Sequence, residues 1–260
     1  MEPETERRNK TGHSRLSFRE FSGYLLHPEW CEHGLLSIRH SAQVEPWRDG
    51  DLHFHQASEE YYLLLQGQLL LFLDGWALDL RAGEMLLVKP GVAHAVLGGA
   101  GRIEHFGFRA PARNDRSSLG PPPTSIPSVL YADQRELAGD WGCRVDLHQP
   151  ANQNCWLFGL GKARFHSSDF LFANLNFPTM SEANAGLGTR HRLHLHAHSW
   201  EYYAVLEGTK TLQVEAEEVT LQPGELLVVP PGVRHALLRR QAPYRGFTFR
   251  VPLLEDKVEF

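Results

Sequence analysis

The chain has 260 residues, of which 42% are hydrophobic and 22% are charged, and its formal net charge is −5. This composition is typical of a globular protein with a packed core, and it excludes disordered, collagen-like and coiled-coil proteins. The acidic balance argues against a nucleic-acid partner, because phosphate binding needs an excess of basic residues. Fifteen histidines against three cysteines favour imidazole chemistry over a thiolate zinc module.

The N-terminal segment Met1–Arg15 mixes both signs of charge and contains no apolar run. It therefore predicts a solvated tail rather than a signal peptide or a membrane anchor. No apolar stretch approaches the ~18 residues that a membrane-spanning helix needs. The cysteines are odd in number and form no CxxC pair, which argues against a disulfide framework. We expect a soluble cytoplasmic protein with no membrane partner.

The first block of predicted elements consists of short β-strands. Apolar and aromatic runs at Glu60–Leu65 and Gln68–Leu73 are separated by Gly67, which predicts two strands joined by a tight turn. Further turns at 81–84 and 89–91 bound three more predicted strands, Met85–Val88, His94–Leu97 and Ile103–Arg109. Short strands with turns between them are typical of a β-sandwich or a small β-barrel.

The second half of the chain repeats this block without an insertion or deletion. Over residues 53–109, 23 of the 57 positions are identical to the residue 141 positions further along. A register kept over that length indicates two copies of one domain. We predict a tail at 1–15, domains at 16–112 and 128–260, and a connector at 113–127. Three consecutive prolines in the connector are typical of a semi-rigid, extended linker.

Histidine and glutamate recur in both copies with a spacing that suits metal binding. Residues i and i+2 of a strand share one face, so each His-x-His pair points to one side. A closed barrel could bring each pair to a glutamate and a later histidine of its own copy. The two candidate metal-ligand sets are His53, His55, Glu60 and His94, and His194, His196, Glu201 and His235.

Three imidazoles and one carboxylate suit a divalent transition metal, namely iron, manganese, nickel, copper, cobalt or zinc. We expect one or two such ions per chain. Four protein ligands on an octahedral ion leave two positions open. A small-molecule substrate can bind there, with or without dioxygen.

These residues and their spacing resemble the motifs of the cupin superfamily. The first motif is a glycine, five residues, HxH, three or four residues, a glutamate, six residues and a glycine. The second is a glycine, five residues, PxG, two residues and a histidine. Copy two matches them at Gly188–Gly208 and Gly224–His235, and copy one at His53–Gly67 and Gly83–His94. In copy one, Trp47 replaces the leading glycine and Lys89 replaces a proline.

The resemblance implies an all-β fold of two tandem cupin barrels (double-stranded β-helix, or jelly roll), that is, a bicupin. It also implies a metal-dependent enzyme of the dioxygenase, decarboxylase or isomerase type that acts on a small oxygenated organic molecule. Glu60 and Glu201 would then be catalytic bases as well as ligands. The alternative is a non-catalytic, metal-containing protein that binds a sugar or an organic acid. The substrate, the metal, the occupancy of each site and assembly into a homodimer stay open.

Several residues near the ligands have two interpretations. His191 and His198 are either outer groups of the second site or exposed residues, and Tyr62 and Tyr203 either line the cavities or pack in the barrel cores. Arg109 and Arg250 end the two copies, which favours a structural or interdomain role over a catalytic one. The glycine-rich segment 183–189 precedes the second ligand set, where it could form a lid. This segment favours the second site as the active one.

Overall fold

The computed structural model describes residues 5–6, 13–19, 21–27, 34–43, 47–125, 129–130, 145–146, 155–159, 165–168, 170–180 and 192–260. Every regular element within these ranges is a β-strand, which confirms the predicted all-β fold. No helix in this described part of the chain is long and apolar enough to cross a membrane.

The strands are numbered in chain order. Those before residue 125 are β1 (Thr5–Glu6), β2 (Ser14–Ser17), β3 (Gly23–Leu26), β4 (Ser37–Gln43), β5 (Leu52–His55), β6 (Glu59–Leu73), β7 (Trp76–Arg81), β8 (Glu84–Val88), β9 (His94–Ala110) and β10 (Arg116–Gly120). Those after it are β11 (Val129–Leu130), β12 (Val145–Asp146), β13 (Cys155–Gly159), β14 (Phe165–Ser167), β15 (Phe172–Met180), β16 (His194–His196), β17 (Trp200–Val214), β18 (Glu217–Leu221), β19 (Glu225–Val229), β20 (His235–Val251) and β21 (Lys257–Glu259).

The chain divides into two compact units, and each contains one copy of the repeat and one sheet. The first unit, residues 22–163, holds an 11-stranded sheet whose main path is β10-β5-β9-β6-β8-β13-β12. The second unit combines residues 1–21 with residues 164–260. Its 10-stranded sheet follows the path β1-β2-β19-β17-β20-β15-β14.

The units differ from the domain boundaries predicted from the sequence. Strand β2 pairs with β19, so N-terminal residues belong to the second unit, whereas β13 pairs with β8 in the first unit. Strand β10 lies within the predicted connector and pairs with β5. β8 and β19 are equivalent strands of the two copies. Each unit therefore covers the same sheet edge, with β13 in the first unit and β2 in the second, and both covering strands lie outside the aligned block 53–109 and its second copy. Covered edges remove unpaired backbone groups that would otherwise template aggregation.

A glycine produces a bulge in the long strand β6 rather than the predicted turn. The residues on both sides of Gly67 form the single strand β6, so the tight turn predicted there is wrong. The pairing of β6 with β9 shifts register on either side of this glycine. Gly67 has φ +83°, and a Cβ atom there would lie 2.5 Å from the carbonyl oxygen of Arg102. Only glycine allows this close approach, and the resulting bulge bends the strand.

Each unit has its own apolar core, built from alternating strand residues. In the first unit Leu69, Leu71 and Leu73 of β6 are fully buried and belong to one cluster with Leu78 and Leu80 of β7. In the second unit the corresponding cluster surrounds Tyr203, Leu212 and Tyr244. Burial of a leucine side chain contributes about 1.5–3 kcal/mol, so these clusters hold the strands that carry the histidines.

Candidate metal centres

The first histidine cluster is formed by three neighbouring strands. In β5 the side chains of His53 and His55 are buried and Phe54 between them is half-buried, as expected for alternate faces of a strand. His94 at the start of β9 lies opposite His53, and Glu60 lies near the start of β6. One candidate ligand atom from each of these four residues lies within 4.8 Å of the others.

The imidazoles of the first cluster converge on one carboxylate oxygen. Oε2 of Glu60 lies 2.7 Å from Nε2 of His94, 3.1 Å from Nε2 of His55 and 3.8 Å from Nε2 of His53. Burial raises the pKa of the Glu60 carboxyl, but hydrogen bonds from the histidines outweigh this effect and hold its pKa well below the usual range. The carboxylate is therefore ionised, as a metal ligand must be.

The second cluster repeats this geometry in the second unit. His194 of β16 lies opposite His235 of β20, and the four candidate ligand atoms again lie within 4.8 Å of one another. Oε2 of Glu201 lies 2.8 Å from Nε2 of His235, and its Oε1 lies 3.5 Å from Nε2 of His196. Burial lowers the pKa of His194 to about 4, so this imidazole is neutral and free to donate its lone pair.

Backbone carbonyls orient three of the six imidazoles. Nδ1 of His94 lies 2.8 Å from the carbonyl oxygen of Val92. Nδ1 of His194 lies 2.9 Å from the carbonyl oxygen of Arg192, and Nδ1 of His235 lies 2.9 Å from that of Val233. With Nε2 turned to the cluster, Nδ1–H donates to these oxygens and fixes the ring. His53 differs, since its Nδ1 lies 3.4 Å from the Asp51 carbonyl and 3.2 Å from the Arg116 guanidinium.

Two aspartates that the sequence motifs did not predict orient the imidazoles of His55 and His196. Asp115 accepts a hydrogen bond from Nδ1 of His55 at 3.0 Å, and Asp256 accepts one from Nδ1 of His196 at 2.9 Å. Asp115 and Asp256 are themselves 141 residues apart. The internal repeat therefore extends at least six residues beyond Arg109, and this offset is the sequence signal that identifies both aspartates.

The donor sets fit a divalent transition metal. In each cluster three imidazoles and one carboxylate converge, and all six Nδ1 atoms face a carbonyl or carboxylate oxygen, with the longest distance, 3.4 Å, at His53. The divalent ions from manganese to zinc all bind ligand sets of three nitrogens and one oxygen. Each cluster can therefore hold one ion.

The residues beside the ligands divide into several groups. Tyr203 donates its hydroxyl hydrogen to the Glu201 carboxylate, and the ring centroid of Tyr62 lies 6.4 Å from that of His94. Both tyrosines are buried in the core clusters of their units. His198 is exposed, and its backbone N–H donates to Asp256 at 2.8 Å. His191 and the segment 183–189 lie outside the described residues.

A cavity of about 390 Å³ opens on the first cluster. His53, His55 and Glu60 line it together with Tyr62 and Arg109, which the sequence had placed in a structural role. This volume is at the lower end of the range of small-molecule sites. A molecule in the cavity would contact the candidate ligands directly.

The second unit contains a buried lysine at a position where the first copy has a leucine. Lys210 of β17 is 2% exposed, and its Nζ donates to Oγ1 of Thr248 at 2.9 Å and lies 4.2 Å from the ring centroid of Tyr203. Burial lowers the pKa of this amine well below its usual range. The equivalent residue of the first copy is Leu69, so the second barrel has a buried amine where the first has an apolar side chain.

The chain resembles proteins of known structure. A model of the cupin domain matches residues 41–101 and 185–241, one match in each copy. Salicylate 1,2-dioxygenase from Pseudaminobacter salicylatoxidans is 9% identical with a TM-score of 0.60, over 89% of this chain and 76% of that one. Oxalate decarboxylase from Bacillus subtilis is 13% identical with a TM-score of 0.56, over 95% and 78%.

Protein Ylba from E. coli is 11% identical with a TM-score of 0.58, over 95% of this chain and 93% of that one. The chain has no match among curated protein sequences. At such low identity the structural relatives establish the fold alone. The fold and the two clusters define a cupin with candidate metal sites. The chain is a bicupin, with one cupin domain and one His-His-Glu-His cluster in each copy of the repeat.

Proposed function

We propose that this bicupin is a metal-dependent enzyme that acts on a small oxygenated organic molecule in its first barrel. The observation that carries this proposal is the opening of the first cluster onto the cavity. His53, His55 and Glu60 belong to both the cluster and the cavity wall. A substrate oxygen in the cavity would therefore reach the open positions of an ion held by these residues.

The chemistry divides between the ion and the side chains. A bound divalent ion supplies Lewis acidity and polarises a substrate oxygen. His53, His55 and His94 would hold this ion, and Asp115 fixes the ring of His55. Glu60 is an ionised carboxylate in the cavity wall, so it can bind the ion or accept a proton from the substrate. Glu201 has the same proposed role in the second barrel.

Two structural relatives suggest the class of reaction. By their names, one is a dioxygenase of salicylate and the other is a decarboxylase of oxalate. Salicylate and oxalate are both anions of small organic acids. This supports an oxygenated acid as the substrate of the present chain. It also supports oxygen insertion or decarboxylation as the reaction.

A substrate panel with elemental analysis tests this proposal. Protein purified without chelators should contain a stoichiometric transition metal and convert at least one small organic acid in a metal-dependent reaction. Oxygen uptake would identify a dioxygenase, whereas carbon dioxide release without oxygen uptake would identify a decarboxylase. His53→Ala should abolish turnover in the first barrel, and His194→Ala is the matched control that keeps the first cluster complete. A protein without metal, or with saturable binding but no product, contradicts the proposal.

A further inference from the structure

Two arginines in the cavity wall have no carboxylate partner among the described residues. The Arg39 guanidinium lies 5.7 Å from the ring centroid of Tyr24, and Arg109 donates only to the Arg113 carbonyl at 3.4 Å. A third arginine of the wall, Arg116, is paired with Asp51. Guanidinium groups form strong, planar hydrogen-bond pairs with carboxylates. The two unpaired arginines therefore favour an anionic ligand.

The carboxylates of the same wall are already bound to other groups. Glu60 faces the histidines of the cluster, and Oδ2 of Asp49 accepts a hydrogen bond from the Val96 backbone N–H at 2.7 Å. Burial also raises the pKa of Asp49. These groups leave the positive charge of Arg39 and Arg109 available to a ligand.

Aromatic rings form the apolar part of the wall. Tyr24, Trp47, Tyr62 and Phe108 all line the cavity. The Trp47 ring stacks on His105, with ring centroids 4.9 Å apart and an interplanar angle of 12°. Flat aromatic walls suit a flat ligand, because ring faces gain area and stacking energy from one another.

His105 is a buried polar group of the wall without a hydrogen bond at one nitrogen. The residue is 3% exposed, and its Nδ1 has no partner within the described structure. Burial lowers its pKa to about 3, and nearby Arg39 contributes, so the ring is neutral. A buried polar atom without a partner is unfavourable, and a hydrogen bond with a ligand group can offset this cost. The second copy has Gly246 at this position, so the feature is specific to the first barrel.

We propose that the first cavity binds a planar aromatic carboxylate that carries a second, uncharged polar group. The carboxylate pairs with Arg39 and Arg109, the ring lies against the aromatic wall, and the polar group forms a hydrogen bond with Nδ1 of His105. This inference rests on the proposed function, since the same cavity faces the first metal cluster, and it names the class of substrate.

Binding of eight probes to the metal-loaded protein tests the inference. The probes are benzoate, the three monohydroxybenzoates and the four corresponding carboxamides, with binding measured by isothermal titration calorimetry. We expect at least one hydroxybenzoate to bind with a Kd below about 1 mM, and its amide to bind at least about tenfold more weakly. Equal binding of acids and amides, or no binding of any of the four acids, overturns the inference.

Variants separate the roles of the arginines and the histidine. Arg39→Gln and Arg109→Gln should each weaken acid binding about tenfold, since each removes a charge-assisted hydrogen bond. Arg102→Gln is the matched control, because Arg102 is exposed on the same strand as Arg109. It should leave binding unchanged.

His105→Phe keeps a ring against Trp47 but removes Nδ1. It should weaken the best hydroxybenzoate about tenfold and leave benzoate within about twofold. Equal loss for both acids contradicts the role of His105. Circular dichroism and metal content check each variant. If His105→Phe does not fold, His105→Asn supplies a polar atom near the position of Nδ1 and should retain the preference for the hydroxyl group.

The same measurements separate this inference from the proposed function. A protein that selects acids over amides but makes no product from any substrate contradicts the proposed function and supports the acid site. A protein that makes product yet binds amides as tightly as acids contradicts the acid site and leaves the proposed function supported.

Discussion

The Nδ1 atom of His55 lies 3.0 Å from a carboxylate oxygen of Asp115. Asp115 also accepts hydrogen bonds from the backbone N–H groups of Ala57 and Ser58 at 2.8 Å, so its position is fixed by the turn between two strands. His196 and Asp256 repeat the arrangement, with the pKa of Asp256 lowered to about 2 because its hydrogen bonds outweigh the effect of burial. An ionised carboxylate on Nδ1 makes Nε2 a better metal ligand.

Asp115→Asn and Asp256→Asn should each weaken metal binding at one site only. An uncharged amide is a weaker acceptor for Nδ1–H, and loss of such an outer carboxylate lowers metal affinity about 10–100-fold. Competition with a chromogenic chelator would measure the affinity of each site. Each variant is the control for the other, and equal loss at both sites would contradict the assignment.

Metal removal should destabilise each unit separately. An ion at a concentration of about 1,000 times its Kd stabilises the folded state by about 4 kcal/mol. Treatment with a chelator should lower the midpoint of thermal unfolding, and His94→Ala should remove the contribution of the first unit while His235→Ala removes that of the second. The double variant should be insensitive to the chelator. If the chelator does not change the thermal unfolding midpoint of the wild-type protein, this prediction is wrong.

Stability should rise with pH because of Lys210. Its pKa in the folded chain lies well below the unfolded value of 10.5, through burial and the nearby Arg240, despite the opposing charge of Glu201. Between these two pKa values the unfolded chain binds more protons, so the free energy of unfolding increases with pH. The slope for one proton is at most about 1.4 kcal/mol per pH unit.

Urea denaturation at pH 7, 8 and 9 would measure this slope. Lys210→Leu introduces the residue of the first copy, Leu69, and should reduce the slope and increase the free energy of unfolding at pH 7. Burial, and the charge of Glu201, raise the pKa of the neighbouring Tyr203, so that residue stays protonated in this range. The same slope in both proteins would show that Lys210 does not titrate on unfolding.

Gly208→Ala should be more destabilising than Gly232→Ala. Both glycines have positive φ, of +72° and +80°. Both substitutions therefore place an alanine in a left-handed backbone conformation, which is unfavourable for any residue with a Cβ atom. A Cβ atom on Gly208 would also lie 2.2 Å from the Pro243 carbonyl oxygen, whereas nothing lies within 4 Å at Gly232. We expect a difference of about 1–3 kcal/mol in the free energy of unfolding. Equal losses by urea denaturation would mean that the close approach at Gly208 is relieved by backbone movement.

The eight candidate ligands were predictable from the sequence because their signal is local or repeated. Strand alternation places His53 and His55 on one face, and the offset of 141 identifies the second set. The structure brings each set together. The same offset contains Asp115 and Asp256, so these residues were also within reach of a longer comparison.

The all-β class, the duplication and the candidate ligand sets were predictable without a structure, because strand periodicity and internal repetition are properties of the chain alone. The pairing of β2 with the edge of β19 and of β13 with the edge of β8 is visible only in the folded chain. These pairings form through backbone hydrogen bonds between distant segments, and such bonds leave little trace in side-chain patterns. The cavity with Arg39 and His105 also depends on the fold, since β4 and β9 are paired although they are distant in the sequence.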